Sequence, residues 1–279
     1  MMDTKISRPG ETPQIPGYKL HHVVGKGGMG EVYQATQLSL ERMVAVKLLK
    51  GELAKDPQFV NRFEKEGAAL ATLRHPSIVS IVDRGNAGDT YYLVMEFVDG
   101  PSLREKMREP DFESSRALVV MLLVAKAIEY AHGRGVFHRD LKPENILFDE
   151  QAGGVPKVTD FGLAGLDESH TQQRNLTQTH VSMGTASYMA PEHARKQKVD
   201  QRADIYSAGV VLWELLSWQP IPVDGDPIER WKRAAKPHFE RPSFFRSDLP
   251  DGIDPVVMRA LAPDVRERYP DAQAFRAEL

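Results

Sequence analysis

The sequence has no cysteine among its 279 residues, so disulfides, thiolate metal sites and cysteine nucleophiles are excluded together. That fits a reducing compartment, and the cytoplasm is the default expectation. Long apolar runs are also missing. The longest, Ala117 to Ala125, falls far short of the roughly 20 residues a membrane-spanning helix needs. Nor is there an excess of charge of one sign, because 36 Lys plus Arg against 39 Asp plus Glu leave a net charge of -3. A bulk electrostatic grip on nucleic acid or anionic lipid is therefore not expected, and ionic recognition has to be local. None of the 9 histidines falls in a metal-ligand spacing such as H-E-x-x-H. His21-His22 reads as a surface pair and His138 as a structural member of its loop.

What is present concentrates in His138 to Phe148, read as His-Arg-Asp-Leu-Lys-Pro-Glu-Asn-Ile-Leu-Phe. Arg139, Asp140, Lys142 and Asn145 sit in quick succession, and the apolar run Ile146-Leu147-Phe148 follows at once, as in a reactive loop entering a buried strand. An Asp to accept a hydroxyl proton, a Lys to meet a transferring phosphoryl group and an Asn to hold a metal ion are parts that phosphoryl transfer requires. The segment resembles the catalytic loop of protein kinases, H-R-D-L-x-x-x-N, at every fixed position. Leu141-Lys142-Pro143-Glu144-Asn145 resembles the serine/threonine branch.

The resemblance implies an α+β fold of two lobes, with a five-stranded antiparallel sheet plus one helix in the N-lobe and a mainly helical C-lobe. The expected division is a disordered leader over 1–16, the N-lobe over 17–98 and the C-lobe over 99–279. Met1 to Pro16 carries Pro9, Gly10, Pro13 and Pro16 and has no apolar core segment, so it is not a secretory signal.

Tyr18 to Leu49 has the chemistry of three strands in a meander. Between the first two lies Gly25-Lys26-Gly27-Gly28-Met29-Gly30-Glu31-Val32, which fits G-x-G-x-x-G-x-V. Glycines let a backbone approach phosphates closely, but a Rossmann dinucleotide site uses the same spacing. Rossmann loops open a helix, whereas Val32, Gln34 and Thr36 alternate with Tyr33 and Ala35 as in a strand. Val44-Ala45-Val46-Lys47 places a lysine at the end of an apolar strand. Taken alone it reads as a surface lysine on a strand edge, and by resemblance to V-A-I-K it meets the α- and β-phosphates and a helix glutamate. Asp56 to Leu73 reads as a helix started by Asp56-Pro57. On it Glu66 is the preferred partner of Lys47, with Glu64 as the alternative.

Two strand-like runs follow, Ile78 to Val82 and Tyr91 to Val98, joined by a turn-rich Asp83 to Thr90. The resemblance makes Met95 the gatekeeper of an adenine pocket, gives the adenine edge to Glu96 and Val98 backbone groups, and sandwiches the ring between Val32, Ala45 and Leu147. Val24 and the glycine loop complete the implied nucleotide site. From Pro101 the pattern turns helical, with a long helix over Ser114 to His132. After a turn at Asp149 to Gly154 comes Asp160-Phe161-Gly162, resembling D-F-G. That implies Mg²⁺ held by Asp160 and Asn145, with Mn²⁺ as a substitute.

Ala190-Pro191-Glu192 resembles A-P-E, which makes Leu163 to Met189 an activation loop. Thr177 and Thr179 lie where related kinases carry regulatory phosphates, and Arg139 is a ready basic partner. Gly184-Thr185 resembles the element that orients Asp140 and Lys142. Asp200 to Trp218 reads as a buried helix in which Asp204 needs hydrogen bonds; the resemblance has it hold the catalytic loop. It also pairs Arg268 with Glu192. The chain stops at Leu279 inside an expected last helix, as in a domain cut from something longer.

Together these features imply a serine/threonine protein kinase, most like the bacterial Hanks-type members, that uses ATP and protein substrates and phosphorylates its own activation loop. A transient or N-lobe homodimer would serve that step. The expected location is the cytoplasm, either as a free enzyme or as the cytoplasmic part of a receptor. A pseudokinase scaffold is the alternative, marked by loss of Lys47, Asp140 or Asp160, and all three are present.

Overall fold

A computed structural model describes residues 13–27, 30–49, 56–109, 113–162, 185–222 and 226–279. The described residues fall into two compact units. One takes the chain up to Arg74 and Val79–Val98; the other takes His75–Ile78, Asp99 to the D-F-G element, and the chain from Thr185 on.

In the first unit the strands β1 (Tyr18–Lys26), β2 (Gly30–Gln37) and β3 (Arg42–Leu49) form the meander. β4 (Ile81–Ala87) and β5 (Thr90–Glu96) complete an antiparallel sheet of order β1-β2-β3-β5-β4. β3 is central and is buried on both faces from Val44 on, which is why its apolar run is continuous rather than alternating. One face carries Val44, Val46 and Leu48, packed with Ala35, Tyr92 and Val94. Helix α1 (Pro57–Leu70) starts where Asp56 accepts the Gln58 N–H at 2.8 Å and Pro57 supplies the first turn. Its stripe of Phe59, Phe63 and Leu70 is buried.

β4 differs from the sequence expectation. Asp83 to Ala87 is strand, not turn, and only Gly88 and Asp89 make the reversal. β4 is an edge strand, so Asp83, Arg84 and Asn86 face water and its polar sequence imitates a loop. Ile78 lies outside it and bridges in parallel to Val158 of the second unit, to which Ile78 itself belongs.

The second unit is mainly helical. It holds α2 (Leu103–Lys106), α3 (Ser114–His132), α4 (Pro191–Ala194), α5 (Arg202–Ser217), α6 (Pro227–Ala235), α7 (Pro242–Phe245), α8 (Ile253–Ala260) and α9 (Ala272–Glu278). α5 is the centre, buried at every position from Ala203 to Ser217, as expected of a helix that is apolar all round. Gly209 lets α8 approach closely, because a Cβ there would lie 2.8 Å from that of Ala260. A hairpin of β6 (Ile146–Asp149) and β7 (Val155–Val158) follows the polar loop.

Candidate active site

The loop before β6 is shaped by a carboxylate that lies far away in sequence. Asp204, in the first turn of α5 and 1% exposed, accepts the backbone N–H of His138 at 2.7 Å through Oδ2 and that of Arg139 at 2.7 Å through Oδ1. His132 Nε2 adds a third bond to Oδ2 at 2.8 Å. Burial alone would raise the Asp204 pKa. The hydrogen bond and charge of His132, with the groups of His138, outweigh it and hold the carboxyl below its ordinary value. His132 was not singled out from sequence, where it reads only as the end of α3.

His138 is fully buried and ties the loop to the following strand. Its Nδ1 accepts the Asp140 N–H at 3.2 Å and its Nε2 faces the Thr159 carbonyl at 2.9 Å, so the Nε2–H tautomer satisfies both bonds. Thr159 N–H in turn donates to the Asn145 carbonyl at 2.9 Å. Phe161 stacks at a tilt on the His138 ring, centroids 4.7 Å apart. These bonds fix the approach to Asp160, which sits at φ 62°, a region that Asp tolerates better than most residues.

Asp140, Lys142 and Asn145 come together. Lys142 Nζ donates to Asp140 Oδ2 at 2.8 Å. Asn145 Nδ2 donates to the Asp140 carbonyl at 2.8 Å and reaches Oδ2 at 3.3 Å. Asp140 Oδ1 is buried and accepts no hydrogen bond among the described residues. One carboxylate oxygen is thus immobilised, while the other keeps its lone pairs for an incoming donor.

In the first unit the sheet gathers a second set. Val32 lies opposite Lys47, Gln34 opposite Ala45, Lys47 opposite Leu93 and Ala45 opposite Met95. By the two-residue alternation of strands, Val32, Ala45, Lys47 and Met95 therefore share one face. Lys47 is only 7% exposed. On α1, Glu66 shares the stripe of Phe59, Phe63 and Leu70 and is half-buried, whereas Glu64 is exposed; this supports Glu66 as the glutamate turned inward. The turn between β1 and β2 is closed by Gly27 N–H donating to the Gly30 carbonyl at 2.9 Å. Lys26 and Glu31 make a solvent-exposed ion pair at 2.9 Å, and Val24 is half exposed. Glu96 caps the Ser80 N–H at 2.9 Å, and Leu147 lies on β6 of the second unit. Val98 is buried, and its backbone groups make no backbone hydrogen bond among the described residues.

The protein kinase domain family matches residues 18–275. This chain belongs to that family. The kinase domain is 40% identical over 269 residues to the serine/threonine-protein kinase PknB of Mycobacterium tuberculosis, covering 94% of this chain and 42% of that protein. It is 38% identical over 272 residues to a probable serine/threonine-protein kinase of Streptomyces coelicolor, covering 94% of this chain and 39% of that one. The crystal structure of the Mycobacterium tuberculosis PknI kinase domain matches with a TM-score of 0.73 at 28% identity, covering 95% of this chain and 96% of that chain. The chain spans about two fifths of the length of the curated relatives it matches.

Kinases use a divalent metal with ATP, and the donors here suit one. Asn145 directs its Nδ2 to Asp140, which leaves its Oδ1 as the hard donor of that side chain. No cluster of three or more His, Cys, Asp or Glu able to hold a metal exists among the described residues. A divalent ion held by these residues would draw further oxygens from phosphates and water.

Further from the loop, Arg268 and Glu192 form a fully buried two-pronged ion pair at 2.8 and 2.6 Å. Arg268 Nε also donates to the Ala262 carbonyl at 2.7 Å. The kinase sequence motifs did not signal a second polar cluster, in which Arg104 meets the exposed Glu144 and the buried Tyr188 and Glu214. Glu214 carries the signal that could have found it, a single carboxylate inside the apolar stretch Val210 to Leu216. Thr185 begins a short 3₁₀ turn, Thr185–Tyr188. Gly28, Met29, Thr177 and Thr179 lie outside the described residues. No described helix is long and apolar enough to cross a membrane.

Proposed function

We propose that this chain is a serine/threonine protein kinase catalytic domain that transfers the γ-phosphoryl group of ATP to protein hydroxyls. The observation that carries the chemistry is Asp140, with Oδ2 held by Lys142 and Asn145 and Oδ1 accepting no hydrogen bond among the described residues. A Ser or Thr hydroxyl donating to Oδ1 is oriented for attack on the γ-phosphorus and gives up its proton to that oxygen as the new P–O bond forms and the bond to the β-phosphate oxygen breaks. Lys142, a cation already beside Asp140, offsets charge developing on the transferring group.

Lys47 meets the α- and β-phosphates with Glu66 as its partner, the glycine loop contributes backbone donors, and Met95, Glu96, Val98, Val32, Ala45 and Leu147 form the adenine site. Asp160 and Asn145 would hold the Mg²⁺ or Mn²⁺, which would supply positive charge to offset that of the phosphates. Thr177 and Thr179 are the regulatory phosphosites, reached by a second copy of the chain in a transient or N-lobe dimer, with Arg139 as the basic partner of the phosphate. The domain works in the cytoplasm.

The test is incubation with Mg²⁺ and radiolabelled ATP, then mass-spectrometric mapping of phosphate, with Asp140→Asn beside the parent. Label on Thr177 or Thr179 in the parent alone is expected. ATP binding without label in the parent, including towards added protein substrates, would overturn the enzyme reading in favour of a nucleotide-binding scaffold.

A further inference from the structure

Side chains of β5 and β4 reach across to helix α1. The ring of Tyr91 on β5 meets that of Phe63 edge-on, centroids 5.9 Å apart. Arg84, on the edge strand β4, donates through Nη1 to the main-chain carbonyl of Glu64. The acceptor is helix backbone, so the bond holds the helix itself and not a mobile side chain.

That carbonyl is within reach because of the residue three positions on. Side chains on a helix lean toward its N-terminus, so a side chain at 67 would lie over the turn that carries the Glu64 carbonyl. Position 67 is glycine. The three nearest neighbours of a Cβ built there are all atoms of Arg84, with Cδ and Nη1 at 3.2 Å and Cζ at 3.9 Å. The arginine therefore lies in the space that a side chain at 67 would fill, and it leaves Gly67 buried while remaining exposed itself. Glycine inside a helix is otherwise unfavourable relative to alanine.

The two attachments constrain the helix differently. Rings in edge-on contact set the distance between α1 and the sheet but let the helix roll. A donor fixed on one main-chain carbonyl does not. Rotation decides which glutamate faces the sheet, because successive helical residues differ by about 100° around the axis. Glu66 directly precedes Gly67, so it turns with the segment that Arg84 holds.

We propose that Arg84 is a positioning residue for the nucleotide: it grips α1 at the gap left by Gly67, fixes the rotation of the helix, and so keeps Glu66 turned to Lys47 for the ATP phosphates. The inference rests on the assignment of Lys47 and Glu66 in the kinase reading above. Arg84 touches no nucleotide in this scheme and acts only through Glu66. Its loss weakens ATP binding and leaves the peptide side of the reaction alone.

The experiment measures the Kd for ATP with Mg²⁺, and steady-state kinetics with a Ser/Thr peptide, in the parent, Arg84→Ala, Arg84→Lys, Gly67→Leu and Glu66→Ala, with thermal melting beside them. Loss of the bond should raise the Kd for ATP roughly 3–10-fold in Arg84→Ala, with the KM for the peptide within about twofold of the parent. Arg84→Lys, which keeps the charge and the stem, should fall between the two. Gly67→Leu should show the loss of Arg84→Ala without a fall in Tm, because leucine favours the helix and displaces a flexible, exposed side chain. The acceptor is an uncharged carbonyl, so the loss should persist in about 0.5 M salt, where exposed charges are screened from one another. In the Glu66→Ala background, Arg84→Ala should add less than about twofold. Should Gly67→Leu fold poorly, the Arg84 variants carry the test alone. Parent-like ATP affinity in folded Arg84→Ala or Glu66→Ala, a loss that salt abolishes, or full additivity with Glu66→Ala would overturn the role of Arg84 and leave the kinase reading standing. A parent that transfers no phosphoryl group would overturn that reading, and this inference with it.

Discussion

The backbone N–H of Arg139 donates to Oδ1 of Asp204 at 2.7 Å, and Arg139 itself sits at φ 66°. A left-handed conformation is unfavourable by roughly 1–2 kcal/mol for a residue with a Cβ. It persists only where the surroundings hold it. Asp204 provides that hold by taking two successive N–H groups, and the residue so constrained is the one immediately before Asp140. The strain of the loop and the presentation of its carboxylate therefore have one origin, a charge in the first turn of the buried helix α5.

Replacing Asp204 by alanine should leave the N–H groups of His138 and Arg139 and the Nε2 of His132 without their shared acceptor. Breaking a buried pair of this kind destabilises by roughly 3–5 kcal/mol. Misplacement of the loop should lower kcat about 100-fold in the fraction that remains folded. Urea unfolding and steady-state kinetics on the same preparation measure both, and a variant with parent-like stability would contradict the role assigned to Asp204.

The same carboxylate makes a prediction about acid. Its folded pKa lies below the unfolded value, so between the two the unfolded chain holds a proton that the folded chain does not. Stability from Asp204 is thus complete above the usual carboxylate range, about pH 4, and is lost as pH falls through the folded value. The stability gap between parent and Asp204→Asn should shrink in strong acid, as Asp204 takes up its proton in the folded chain. A gap that closes on going from acid to neutral pH would reverse the sign and refute the assignment.

Asp204 was legible in the sequence because a charge inside an apolar helix demands partners, and Glu214 on the same helix was legible by the same reasoning although it was not read that way. Arg104 was not. A guanidinium on a four-residue helix looks like any surface charge until the fold brings Tyr188 and Glu144 to it. β4 misled for a related reason, since an edge strand satisfies half its backbone with water and can carry the polar residues of a turn. Asp140, Lys142, Asn145 and Asp160 were legible by spacing, which survives without knowledge of tertiary contacts.

Gly30 separates the packing demands of the glycine loop from its chemistry. A Cβ at Gly30 would fall 1.8 Å from the Leu48 carbonyl oxygen, a backbone atom that cannot swing aside. At Gly27 the nearest neighbour of a Cβ among the described residues, the Gly30 carbonyl oxygen, is 4.0 Å away. Gly30→Ala should therefore lower Tm without any nucleotide present, whereas Gly27→Ala should leave Tm of the nucleotide-free protein within a degree or two. Equal melting of the two variants would mean that Gly30 is not required by the β2–β3 packing.

Arg268 and Glu192 should behave as one unit. Arg268→Ala leaves a buried carboxylate without its guanidinium partner, and Glu192→Ala leaves a buried guanidinium that keeps the Ala262 and Arg202 carbonyls and the Tyr206 ring but no carboxylate partner from Glu192. Each single change should destabilise by roughly 3–5 kcal/mol, and the double change by less than the sum, because the second removal relieves the uncompensated charge left by the first. Thermal melting of the three variants checks this, and additivity would show that the residues act separately.

Asp140 gives the sharpest separation between binding and chemistry. Its Oδ2 is engaged by Lys142 and Asn145, so Asp140→Asn keeps a group of the same shape in place but cannot take a proton. General-base assistance is typically worth 10²–10⁴ in rate, and kcat should fall by about that factor. Asp140 is not among the groups assigned to the nucleotide, of which Val32, Ala45, Lys47 and Met95 lie on β2, β3 and β5, so the Kd for ATP by calorimetry should stay within about twofold of the parent. A parallel fall in ATP affinity and turnover would mean that Asp140 shapes the nucleotide site rather than the accepting hydroxyl. Retained turnover would remove it from the reaction altogether.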